Sequence, residues 1–96
     1  MNNNLEKRYA ERVSNMSDLE IVNNFNWETL GKGWTSGRAT YLSCLRTEII
    51  KRWGELPWCK NNTMTLKYPI VLVKNKLIQI NPDNLKKELS QLTIDL

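Results

Sequence analysis

Apolar residues recur at helical spacing early in the chain and at strand spacing late in it. Leu5, Tyr9, Val13 and Met16 fall at one face of a helix, with charged residues filling the positions between them, which predicts a first helix over 2–16. The stretch "MSDLEI" starts a second. Ser17 fits the N-cap, Glu20 completes a capping box, and Met16 and Ile21 flank the cap as a hydrophobic staple. The second helix is expected over 18–25. Ser36 suits the cap of a third helix running to Trp53, with Ala39, Leu42, Leu45, Ile49 and Trp53 as its apolar stripe and Gly54 as its stop. Thr40, Cys44, Thr47, Glu48 and Lys51 then form its outer face. Residues 26–35 remain as a connection of about ten residues.

From Met64 the period becomes two. "MTLKYPIVLV" and "KLIQI" read as two strands around Lys74-Asn75-Lys76, where Asn75 tolerates a left-handed backbone. Met64, Leu66, Tyr68, Ile70 and Leu72 share one face, Val71 and Val73 the other, so both faces need cover. The preceding "ELPWCKNNT" reads as a loop. A last helix begins at "INPDNL", with Asn81 as N-cap, Pro82 at the first helical position and Leu85, Leu89 and Leu92 facing inward. The expected fold is a single α+β domain over 1–96: three N-terminal helices, a β-hairpin and a C-terminal helix.

Charge changes this picture at one place. The net charge is +4, but residues 1–30 carry three basic and five acidic side chains, whereas residues 31–60 carry six and two. The basic excess begins where the Trp residues cluster. All four of them, Trp27, Trp34, Trp53 and Trp58, lie between positions 27 and 58. Two roles fit them. Trp27 and Trp34 can pin the long connection onto the end of the third helix, adding core to a small chain. They can also form a stacking surface for a base or a partner peptide.

The glycines in "GKGWTSG" resemble a phosphate loop only at first sight. The P-loop pattern needs its Lys after the second Gly, following a strand, and G-x-G-x-x-G fails because Gly37 comes one place late. What remains is Gly-rich backbone entering a helix N-terminus, with Lys32 and Arg38 adding charge. Arg46 falls inside the apolar stripe of the third helix, so its head needs a carboxylate such as Glu28 or Glu20, a bound anion, or a path to water. The binding candidates are therefore Trp27, Lys32, Trp34, Arg38 and Arg46.

Other chemistry is harder to build from this chain. It has no His, and its two Cys, Cys44 and Cys59, are too far apart to make a zinc set, so free thiols are expected. No pair of carboxylates recommends itself for catalysis; Glu28 and Glu55, beside the Trp-rich loops, come nearest. No metal, cofactor or enzyme activity is expected. Three helices followed by a hairpin resemble winged-helix DNA binders in element order alone. The outer face of the third helix offers one basic residue, Lys51, where a recognition helix needs several, and the connection before it exceeds the usual three or four residues. The N-terminus lacks an apolar signal core and no apolar run is long enough to span a membrane, which points to the cytoplasm. The expectation is a small binding or accessory protein that contacts an anionic ligand or nucleic acid through its Trp/Gly/basic loop. The alternative is a structural or interaction module, a homodimer paired through the hairpin edge.

Overall fold

The capping box sets the first corner of the chain. In the computed structural model, which describes residues 3–31 and 36–81, the Ser17 hydroxyl accepts from the Glu20 N–H at 3.1 Å. The Glu20 carboxylate accepts from the Ser17 N–H at 2.9 Å. These bonds hold the Glu20 carboxyl below its ordinary value. The cap separates α1 (Asn3–Ser14) from α2 (Asp18–Thr29). Met16 and Ile21, on its two sides, both pack in the core.

α2 runs one turn further than its expected end at Phe25. Asn26, Trp27, Glu28 and Thr29 are helical, and the connection to α3 (Ser36–Trp53) shortens accordingly. The reason is tertiary. Asn26 is held by the hairpin and Glu28 by α3, so polar side chains near the helix end gain partners that local propensity does not count. α3 stops as expected. Gly54 adopts φ +79° and its N–H bonds the Ile50 carbonyl at 2.8 Å, a left-handed C-terminal cap.

α3 is buried on two sides, where the sequence suggests one stripe. Leu42, Leu45 and Ile49 enter the core with Ile21, Val22 and Phe25 of α2. Cys44 and Glu48, expected on the outer face, are also buried. α1 lies along that side, and the Cys44 thiol donates to the Glu6 carbonyl at 3.6 Å. Glu48 is tolerated there because Arg52, one turn on, donates to it at 2.7 Å. The same guanidinium reaches Asp18 at 3.0 Å and the Val13, Ser14 and Met16 carbonyls at 3.2, 3.3 and 2.7 Å. It thereby gathers carbonyls at and just after the end of α1 and ties them to the start of α2.

The expected loop over 55–63 contains a small hairpin. β1 (Cys59–Lys60) pairs antiparallel with β2 (Thr63–Met64) across Asn61-Asn62. Glu55 accepts from the Asn61 N–H at 2.9 Å, fixing the turn. Trp58 and Cys59 enter the core here, Trp58 with its ring centroid 5.1 Å from that of Phe25. Met64 thus belongs to this hairpin and not to the long strand. Pro69, which has no N–H to pair, follows a bend at Lys67–Tyr68. The second hairpin is shorter than expected: β3 (Ile70–Val73) pairs with β4 (Lys76–Gln79) in a separate two-stranded sheet. Lys74 and Asn75 turn it with φ of 52° and 64°, the signature of a type I′ turn.

This second hairpin is held at both ends. Asn26 bonds its base, and the Trp53 indole N–H donates to the Asn75 carbonyl at its tip, at 3.1 Å. Ile70 and Leu77 are buried on one face and Ile78 on the other, so both faces are covered. Among the described residues the fold is mixed α+β, with three helices and two antiparallel strand pairs. The expected C-terminal helix lies outside the described residues. No helix among those described is long and apolar enough to cross a membrane.

Candidate functional site

The extended α2 moves Trp27 from a loop onto a helix. Its indole is 73% exposed there, so it does not pin the connection. It stands on the wall of an open cleft of about 500 Å³ that α1, the end of α2 and the start of α3 form together. α1 contributes Tyr9 and Arg12, α2 contributes Asn24, Trp27 and Glu28, and α3 contributes Arg38 and Tyr41. Gly31 and Gly37 complete the lining.

The base of the cleft is aromatic and fixed. The Tyr9 and Tyr41 rings meet edge to face with centroids 5.3 Å apart. The Tyr41 hydroxyl donates to the Asn24 side-chain oxygen at 2.8 Å. Burial pushes that hydroxyl above its ordinary value, while the neighbouring Arg12 charge pulls it the other way. The Arg12 guanidinium stands 6.0 Å from the Tyr41 ring centroid, at the edge of cation–π range. Arg12 is exposed and forms no salt bridge among the described residues.

Arg38 is differently placed. Its Nε donates to the Glu28 carboxylate at 2.9 Å and its Nη2 to the Glu28 carbonyl at 3.0 Å. It caps the end of α2 and joins it to α3, and its charge is balanced. Gly31 makes room for this arrangement. A Cβ there would stand 3.0 Å from Arg38 Nη2 and 3.2 Å from the Glu28 carbonyl oxygen. Gly31 is thus a packing glycine, and the Arg38–Glu28 pair builds the wall on which Trp27 stands.

The five candidates from sequence do not form one site. Trp27 and Arg38 line the cleft. Lys32 and Trp34 lie outside the described residues. Arg46 lies on the flank of α3 beside β1, near the Cys59 thiol, with its Nη2 3.4 Å from the Ser43 hydroxyl. Its proposed carboxylate partners are engaged elsewhere, Glu28 with Arg38 and Glu20 in the capping box. Arg46 is half-buried, which fits a packed stem with its head toward water. The remaining Trp residues are structural, Trp58 in the core and Trp53 on the hairpin tip.

Sequence does not single out Arg12, Tyr9 and Tyr41, because only tertiary packing lays α1 against α3. One signal was available: Arg12 falls beside the Tyr9 stripe on the helical wheel, and flanking positions border whatever the stripe packs against. No family model matches the chain, and no curated protein or solved structure does so either.

Proposed function

We propose that the protein is a non-catalytic binding module whose cleft takes an anionic ligand bearing an aromatic ring, as nucleotides and nucleic acids do. The observation that carries the reading is the exposed Trp27 indole on the wall of a cleft that also presents the Arg12 guanidinium. A flat π-face beside a cation suits a base and its phosphate. Exposing an indole to this extent forfeits burial energy that a chain of this size could use, and a bound ring would recover it. Pairing of two copies through the hairpin edge draws less support. Asn26 already occupies the outer hydrogen bonds at Ile70, and Leu77 of β4 is buried.

Trp fluorescence tests the reading. Titration with ATP and with oligonucleotides should quench emission with dissociation constants of about 1–100 μM near physiological salt, weakening as salt rises. Trp27→Ala should remove most of the quenching while leaving the far-UV spectrum unchanged. Absence of quenching by every nucleotide and oligonucleotide, or binding indifferent to salt, would overturn it.

A further inference from the structure

Arg12 is not alone on its side of α1. Arg8 sits one turn before it, at i and i+4, so their side chains neighbour one another along the helix. Both are exposed, and neither forms an ion pair among the described residues. Glu6 lies on the other flank of α1, its carbonyl against Cys44 of α3. α1 therefore presents a basic flank that runs from the Trp27 cleft toward its own N-terminus. Two like charges at this spacing weaken a helix slightly. Arg12, in the last turn, is favoured by the helix dipole, and Glu11, three residues after Arg8, offsets part of the repulsion from the far side of Arg8.

Resting on the cleft reading above, we propose that the ligand is a single-stranded nucleic acid, not a free nucleotide. One base stacks at Trp27, and successive backbone phosphates follow Arg12 and Arg8 along α1. A mononucleotide carries its phosphates at one point and engages Arg12 alone. A strand carries them in a row and engages both. A duplex keeps its bases stacked inside and offers none to Trp27, so it gains only the charge contacts.

The test is fluorescence anisotropy with labelled oligo-dT on the full chain, with ATP, a duplex and heparin as competitors, across 50 to 200 mM salt. Oligo-dT should bind more tightly than ATP and the duplex, and heparin should compete poorly. Each phosphate neutralised on a single strand contributes about 0.7 to the slope of log affinity against log salt, so Arg8→Gln with Arg12→Gln should flatten it by about 1.4. Lys60→Gln, an exposed cation on β1, should leave the slope unchanged. Circular dichroism confirms that the exposed arginine variants are folded. If ATP binds as tightly as the oligonucleotide and Arg8→Gln changes nothing, the strand proposal fails while the cleft reading stands. Equal affinity for duplex or heparin also overturns the strand proposal. If nothing binds, both fall.

Discussion

The side-chain amide of Asn26 makes both hydrogen bonds to Ile70 that a neighbouring strand would make. Its nitrogen donates to the Ile70 carbonyl at 2.9 Å and its oxygen accepts from the Ile70 N–H at 2.8 Å. Ile70 faces Gln79 in a pair whose backbone groups point outward, since the next pair bonds directly, Ile80 N–H to the Pro69 carbonyl at 2.8 Å. A helix thus closes the edge of the sheet at that point. Asn26→Leu leaves both part-buried groups unpaired and should cost about 2–4 kcal/mol. The urea midpoint measures the loss, and the Ile70 amide should lose its protection from hydrogen exchange.

Arg52 should be the least replaceable charged residue. Arg52→Ala leaves buried Glu48 without its partner and opens the carbonyls at the end of α1, for a loss of about 3–5 kcal/mol. Arg52→Lys keeps the charge, but a single ammonium cannot serve acceptors spread over three helices, so most of the loss should remain. Thermal unfolding of both variants checks the ordering.

Much of this fold is legible in local signals. Ser17 with Glu20, Gly54 after Trp53, and Asn75 in a tight turn each fix a boundary within a few residues of sequence, because the physics there is short-range. The losses come from contacts across the fold. The last turn of α2 forms because Asn26 meets β3 and Glu28 meets Arg38, partners 44 and 10 residues away. Cys44 and Glu48 are buried because α1 packs beside them, and a helical wheel drawn for one stripe cannot show a second neighbour. Two-residue strands such as Cys59–Lys60 have too little length to show a period. The cleft is half legible. Trp27 and Arg38 stand out by composition, whereas Arg12 becomes visible only once α1 is laid against α3.

The hairpin turn offers a gain in stability. Lys74 holds φ 52° and Asn75 φ 64°, a conformation that side chains with a Cβ resist. Lys74→Asn with Asn75→Gly installs the pair most favoured in type I′ turns. The Trp53 bond goes to a backbone carbonyl and survives the change. Stability should rise by about 1 kcal/mol, read as a higher urea midpoint with an unchanged slope.

The thiols should be silent in the native state. Burial pushes Cys59 up to about 11, although the Arg46 charge works against it, and burial also raises Cys44. Neither should react with Ellman's reagent at pH 8 until the protein unfolds. The unfolded thiol ionises near 9.0, its ordinary value, while the folded one stays protonated. The stability it contributes is complete below pH 9 and disappears as pH rises toward 11, a loss of roughly 2–3 kcal/mol. Cys59→Ala should flatten the decline of the unfolding free energy between those two values.

Arg52 also imposes an order on events in the cell. Its partners on α1 and at the start of α2 leave the ribosome 34 to 39 residues ahead of it. Until it emerges, no guanidinium gathers the carbonyls around Ser14, and the first two helices remain joined by little beyond their capping box. A growing chain therefore carries an unlatched helical corner until 34 residues have followed Asp18, and the latch closes from the far end of α3.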